Sequence, residues 1–205
     1  MGWMASWVAV QGGLKAEIFD HLGLTETGEE TFPGSRGAPL SFREFPDQWL
    51  VIFSEDFDWA SAEVLLELSR FGLALACQFE DKVEMTTVLS AARDGATLWR
   101  VFHDNVGSGH RLDVTGEPPA AFAAIRDAAL AEQRQADANG EDVDFLCEAP
   151  LELARAVCGY RPDEEEAAFT VLRRRGASAP ADGGGQLSFL ERLLAPFRSK
   201  GSPAS

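Results

Sequence analysis

The chain has 205 residues, of which 33 are acidic and 18 are basic, and its formal net charge at neutral pH is −15. This length fits one domain with its own hydrophobic core. The charge argues against direct binding to nucleic acid or anionic lipid and favours a basic partner. No apolar run approaches the roughly 18 residues of a membrane span, and the first residues lack the basic start of a secretory signal, so we expect a cytoplasmic protein without membrane contact.

The three cysteines, Cys77, Cys147 and Cys158, lie in apolar patterns and lack the Cys-x-x-Cys spacing of metal and redox sites. We predict that they are reduced core residues. Arginine strongly outnumbers lysine, and alanine and glycine are abundant. That composition is typical of a protein encoded by a GC-rich bacterial genome.

The first part of the chain alternates strands with helices. Apolar runs predict strands at residues 5–11 and 49–53, and the second is apolar on both faces, as in an interior strand. Helical periodicity predicts helices near 12–24 and 60–71, with Gly23 as a left-handed cap and Asp58 or Ser61 as the N-cap. The polar stretch 25–46 leaves room for one edge strand at 40–45.

A β-meander is predicted between residues 73 and 116. Apolar and polar residues alternate in the segments 73–80 and 83–91, and two further short segments follow at 97–103 and 111–116. Asp94-Gly95 has the chemistry of a tight hairpin turn. Antiparallel pairing of these neighbours can leave one face of the sheet open to water, where a binding surface could lie.

Helices dominate the prediction for the remainder. Pro118-Pro119 starts a helix whose polar end, 132–139, is expected to fray, and 143–147 reads as a short strand or extended link. A helix over 151–158 ends at Gly159. The acidic run 163–166 and the basic run 173–175 match the two ends of a further helix dipole.

These elements predict an α+β fold, in which helices pack on an antiparallel or mixed sheet that contains the meander. We predict a single acidic domain over residues 1–176, a flexible linker over 177–185, and an amphipathic helix and tail over 186–205. The apolar face of this tethered helix would dock on the same assembly or in a partner's groove.

Asp56 and Asp58 follow the apolar run Val51-Ile52-Phe53. This spacing resembles the strand-end Asp-x-Asp of haloacid-dehalogenase-like phosphatases. The resemblance implies a metal-dependent hydrolase in which both carboxylates hold Mg²⁺ and one attacks phosphorus. The alternative is that Asp58 only caps the following helix.

Other catalytic patterns are incomplete. His103-Asp104 could form a general base oriented by a carboxylate, but a partly buried or edge-strand histidine is the preferred interpretation because neighbouring side chains alternate between faces. The glycine-rich segments 107–109 and 183–185 lack the lysine and helix of a nucleotide loop. The histidines and cysteines form no zinc pattern, and we predict no metal, cofactor or catalytic residue.

The segment Gln186-Leu187-Ser188-Phe189-Leu190 resembles the short peptide by which bacterial proteins bind the DNA sliding clamp, with its last two residues in the reverse order. The resemblance implies a clamp-tethered factor. The predicted docking residues of this tail are Gln186, Leu187, Phe189, Leu190, Leu194 and Phe197.

The main functional hypothesis is a non-catalytic bacterial interaction protein whose acidic surface binds a basic protein, with an immunity-type toxin inhibitor as the example. Electrostatic steering would accelerate binding, and exposed aromatic side chains would anchor the complex. A hydrolase or small-ligand binder that uses Asp56 and Asp58 is the alternative, and the clamp-tethered factor is the second alternative. The candidate partner-binding residues are Glu55, Asp56, Asp58, Trp59, Glu80, Asp81, Glu84 and Trp99.

Overall fold

The computed structural model describes residues 4–33, 39–80, 85–105, 111–164 and 167–176. They belong to one compact unit, Met1–Arg175, followed by Gly176. The strands are β1 (Met4–Gln11), β2 (Leu24–Thr31), β3 (Ser41–Phe45), β4 (Trp49–Ser54), β5 (Leu73–Glu80), β6 (Thr86–Arg93), β7 (Ala96–Asp104), β8 (Arg111–Gly116) and β9 (Phe169–Arg174). The helices are α1 (Lys15–Leu22), α2 (Ala62–Leu68), α3 (Ala121–Asn139) and α4 (Glu148–Cys158), with short 3₁₀ turns at Pro46–Gln48 and Ser69–Phe71.

The strands form one antiparallel sheet in the order β2-β9-β3-β4-β1-β5-β6-β7-β8. The predicted α+β class and the meander β5–β8 are therefore confirmed. The interior position predicted for β4 is also confirmed, since each of its residues is buried and it pairs with β3 and β1. Asp94 and Gly95 adopt positive φ at the β6–β7 hairpin, as the turn chemistry predicts.

Helices cover both faces of this sheet. Alternate residues of β1 point to opposite sides, so that Trp7 packs with α3 and α4, while Val8 packs with α1 and α2. We call these sides the α3–α4 face and the α1–α2 face. Leu153 of α4 and Leu65 of α2 lie in the two separate apolar clusters. The sheet thus has a hydrophobic core on each side.

The sequence did not predict two of the strands, β2 and β9. The stretch 25–46 holds a strand that the sequence did not predict, β2, and β2 rather than β3 forms the edge of the sheet. Its residues are mostly polar because most of its side chains are exposed. It pairs on one side only, with β9, and its register shifts between Glu26 and Glu30, around Gly28, which has a φ of 76°. The predicted helix beginning at 163 is also absent from the described residues 163–164 and 167–176, where β9 forms instead. Phe169, Val171 and Leu172 are buried there, and this tertiary pairing outweighs a favourable helix dipole.

The helix ends show one more difference. Helix α3 does not fray over 132–139, because Gln133 and Ala136 are buried and Gly140 ends the helix in the left-handed conformation. Residues 143–147, predicted as a short strand or an extended link, form no strand: 143–144 are irregular, 145 is a bend and 146–147 form a turn. Ser61 is the cap of α2, since its Oγ accepts the Val64 N–H at 3.3 Å. Gly23 and Gly159 end their helices with positive φ, as predicted.

The three cysteine thiols are buried and free. Loss of solvent on burial raises the pKa of Cys158 to about 12 and also raises the pKa values of Cys77 and Cys147. A protonated, buried thiol is a poor nucleophile, so these residues act as small core side chains. Within the described ranges, no helix has the length and apolar character needed to cross a membrane.

Candidate functional site: an acidic rim and the cleft beside it

Acidic side chains gather at one end of the sheet, where several strands finish. Strands β4, β5, β7 and β9 run in the same direction, so their carboxyl ends all lie at that end of the sheet. The loop after β4 carries three carboxylates there, and β5 and β7 end on one each. We call these five residues the acidic rim: Glu55, Asp56, Asp58, Glu80 and Asp104.

The loop after β4 is held in place by hydrogen bonds from the sheet. The Ser6 hydroxyl donates to the Asp56 carbonyl at 2.6 Å and accepts the Ala60 N–H at 3.1 Å. The Gln78 side chain of β5 donates to the Phe57 carbonyl at 2.9 Å. This last bond ties the loop to the strand that ends at Glu80. The rim is therefore organised before any partner binds.

Within the loop, the two aspartates predicted from the sequence differ in role. The Asp56 carboxylate accepts the Asp58 N–H at 3.1 Å, which forms an Asx-type turn. The Asp56 N–H is itself bound by the Ser54 hydroxyl at 3.0 Å. Asp58 and Asp56 are both exposed, and the adjacent Trp59 is half-buried. This loop thus exposes two carboxylates beside a partly exposed aromatic ring.

A cleft of about 390 Å³ opens beside this loop on the α1–α2 face. Asp56, Asp58 and Trp59 form one wall, and α2 contributes Val64 and Glu67. The other wall consists of the end of α1, the start of β2 and the end of β9, through His21, Leu22, Leu24 and Arg174. The His21 Nε2 lies 3.2 Å from the Glu67 carboxylate, so that this contact links the two helices.

Arg174 differs from the arginines on either side of it. Arg173 forms an ion pair with Glu29 at 2.9 Å, and Arg175 forms one with Asp20. Arg174 is exposed and lines the cleft, and no ion pair joins it to any carboxylate within the described parts of the chain. Among the described residues, Arg174 is thus a cation without an ion pair at a cleft that also holds carboxylates.

No protein-family model, no curated protein and no solved structure matches this chain. A functional proposal for this chain therefore depends on the chemistry of the rim and the cleft.

A second histidine–carboxylate pair lies on the α3–α4 face. His103 is fully buried, and its Nε2 lies 2.8 Å from Oδ2 of Asp144, a residue 41 positions further along the chain. Asp104 turns to the opposite side of β7, so the dyad of adjacent residues that the sequence suggested does not form. Because neither His103 nor Asp144 reaches the surface, this pair fastens the loop before α4 to the sheet rather than offering a base to a substrate.

The remaining predicted residues are distributed as follows. Trp99 is only 5% exposed and packs in the core of the α3–α4 face, so its ring does not contribute to the surface. Asp81 and Glu84 lie outside the described residues, as do the tail residues Gln186, Leu187, Phe189, Leu190, Leu194 and Phe197. Among described residues, no group of three His, Cys, Asp or Glu side chains could hold a metal ion.

Sequence reasoning missed His21, Glu67 and Arg174. His21 and Glu67 sit on helices whose relative placement depends on the order of the strands, and Arg174 belongs to a strand that was predicted to be helical. No local spacing signals a site that is assembled from such distant segments. Asp56, Asp58 and Trp59 could be found because a single loop carries them.

Proposed function

We propose that this chain is a non-catalytic interaction protein that binds a basic protein through the acidic rim. The observation that carries the proposal is the placement of five carboxylates where β4, β5 and β7 end, three of them in the loop that leads to the half-buried Trp59. A concentration of negative charge at this end of the sheet attracts a cationic surface.

Charge and aromatic surface would have separate tasks in such a complex. A net charge of −15 attracts a basic partner from beyond contact distance and raises the association rate. The charges at the rim would orient the encounter. Trp59 would supply affinity, since aromatic side chains at the centre of an interface contribute most of the binding energy in many complexes.

An immunity-type inhibitor of a bacterial toxin is the kind of protein that we propose. Such an inhibitor must reach a basic target quickly and then hold it, which is the combination that steering and an aromatic anchor provide. The arginine-rich composition favours a bacterial source. We accordingly propose that the chain acts in the bacterial cytoplasm.

The test begins with affinity capture of a stoichiometric basic partner and continues with its association kinetics at low and physiological salt. The rim variant replaces four carboxylates by amides, through Glu55→Gln, Asp56→Asn, Asp58→Asn and Glu80→Gln. The control variant removes four exposed carboxylates elsewhere, through Glu17→Gln, Glu30→Gln, Glu117→Gln and Glu132→Gln, so that the net charge of the two variants is the same.

We expect the association rate constant to fall about tenfold or more in the rim variant and to lose most of its salt dependence. The control should lose only the smaller effect of net charge. Equal losses in both variants would show that the rim has no special part in binding. Association that does not depend on salt in the unmodified chain would contradict electrostatic steering altogether.

The two alternatives from the sequence concern different parts of the chain. The small-ligand binder that uses Asp56 and Asp58 is favoured by a specific observation, the cleft that these residues line. The sliding-clamp factor concerns residues outside the described ranges and stays a prediction. Its test is the deletion of 186–197, which should abolish clamp binding.

A further inference from the structure

The cleft keeps opposite charges apart. Asp56, Asp58 and Glu67 line it together with Arg174, yet Arg174 forms no ion pair with any of these carboxylates in the described structure. Arginine and carboxylate side chains form strong ion pairs where the geometry permits, but here the Asp56 carboxylate accepts the Asp58 N–H and the Glu67 carboxylate contacts His21. A charge arrangement of this kind is complementary to a ligand that carries both signs and spans the gap.

Both walls are anchored to the sheet, which explains how the separation is maintained. Arg174 is the last residue of β9 and stands opposite Leu24 in the pairing of β9 with β2. The aspartate loop on the other wall is fixed to β1 and β5 by Ser6 and Gln78. The two sets of charges therefore belong to rigid elements, and rigid elements hold binding groups more accurately than free loops do.

We propose that this cleft binds a small amphoteric cation of the basic α-amino-acid class. The ligand carboxylate would bind the Arg174 guanidinium, and its cationic groups would bind the carboxylates of Asp56 and Asp58. The aliphatic stem would lie against Leu24 and Val64, which line the cleft. This activity differs in kind from capture of a protein, but the two surfaces overlap: Asp56, Asp58 and Trp59 line the cleft, whereas Glu55 and Glu80 do not.

The net charge of the lining selects within this class. Three carboxylates face one arginine, and His21 adds a second cation only when it is protonated. A ligand with one surplus positive charge balances this lining better than a neutral zwitterion does. The ring of Trp59 adds a cation–π surface that suits a guanidinium in particular. The cleft volume of about 390 Å³ lies within the usual range for small-molecule sites.

The test measures binding of three probes to the full chain by NMR titration, with the backbone amides of residues 56–59 as reporters. L-Arginine carries both charges, agmatine lacks the carboxylate, and L-citrulline has a neutral side chain of the same shape. We expect saturable shifts with L-arginine, weaker binding of L-citrulline by about tenfold, and binding of agmatine that does not involve Arg174.

Arg174→Gln separates recognition of the carboxylate from simple attraction of a cation, and Arg173→Gln is its matched control on the other face of the strand. The decisive quantity is the dissociation constant of agmatine divided by that of L-arginine. We expect this ratio to fall about tenfold in Arg174→Gln and to stay unchanged in Arg173→Gln.

Two results would overturn the proposal. If the ratio is the same in the unmodified chain and in Arg174→Gln, the ligand carboxylate is not recognised, and the cleft instead suits a lone cationic side chain of a protein partner. If none of the probes produces a saturable shift, the cleft does not bind this class of ligand. A tenfold weakening of L-arginine in Asp58→Asn, with no change in Glu63→Gln, would identify the cationic end of the site.

Discussion

The molecule contains two histidine–carboxylate pairs, one on each face of the sheet, in opposite surroundings. His103 and Asp144 lie 2.8 Å apart with side chains that are 0% and 4% exposed. His21 and Glu67 lie 3.2 Å apart with side chains that are 26% and 44% exposed. The chemistry of the two pairs is the same, so their different access to water decides what each one can do.

The buried pair belongs to a network that leaves Asp144 no capacity for a ligand. Oδ1 of Asp144 accepts the Leu146 N–H at 3.0 Å, while Oδ2 faces His103. The side chain of Gln133 binds the same loop through the Val143 carbonyl and the Phe145 N–H. On the other face, Asp58 and Arg174 remain open to water. Charged groups stabilise the fold on one side and stay available for binding on the other.

The largest expected effect comes from breaking the buried pair. His103→Ala should lower the free energy of unfolding by about 3–5 kcal/mol, because it leaves a buried carboxylate without its partner. His21→Ala, the matched change in the exposed pair, should cost at most about 1 kcal/mol. Urea unfolding of both variants measures the difference.

A further variant checks the cause of that loss. Replacing both members, through His103→Leu and Asp144→Leu, should recover part of the stability, since no unpaired charge is then buried. If His103→Ala and His21→Ala cost the same, the contrast between the two faces is wrong.

The buried pair also shows where sequence reasoning ends. Alternation along β5–β8 and the Asp94-Gly95 turn predict the meander, because strands that are neighbours in sequence pair with one another and their pairing depends on local patterns and turns. His103 was expected to be a partly buried or edge-strand residue, whereas it is fully buried on β7, between β6 and β8. Its partner Asp144 lies in a loop that only the fold brings near. Arg174 could not be predicted as a site residue for the same reason, since its strand pairs with β2, about 150 positions away along the chain.

Arg161 provides an intermediate case between the buried and the open charges. Its side chain is 10% exposed and forms ion pairs with Glu148, Glu152, Asp163 and, at 3.9 Å, Glu164. Burial alone would lower its pKa, but the hydrogen bond to Asp163 and the neighbouring carboxylates raise it, so the guanidinium stays charged. Arg161→Met should cost about 2 kcal/mol in urea unfolding, because the carboxylates around it then lose their shared cation and repel one another. If Arg161→Met lowers the free energy of unfolding by less than His21→Ala does, the ion pairs of Arg161 stabilise the fold no more than an exposed pair does.

Asp163 makes the same cluster sensitive to pH. Partial burial alone would raise its pKa, but the hydrogen bond and the charge of Arg161 lower it below the ordinary value. A carboxyl with a lower pKa in the folded state stabilises the fold at neutral pH, and this contribution is lost as the pH falls below about 4. Solvent screening keeps it to about 0.5 kcal/mol. Asp163→Asn should therefore be slightly less stable than the unmodified chain at neutral pH, and this difference should vanish in acid. A difference that persists at low pH would assign the effect to packing.

The smallest effect is expected in the cleft, and its sign is informative. Asp56→Asn with Asp58→Asn keeps the oxygen that accepts the Asp58 N–H and removes two like charges from the rim. The free energy of unfolding should change by no more than about 0.5 kcal/mol, with the variant equal or slightly more stable. Neutralising a carboxylate that stabilises the fold, as Asp144 does, should lower the free energy of unfolding by several times that amount. A loss above about 1 kcal/mol in urea unfolding would thus place Asp56 and Asp58 with the structural charges and leave the cleft without groups kept for a ligand.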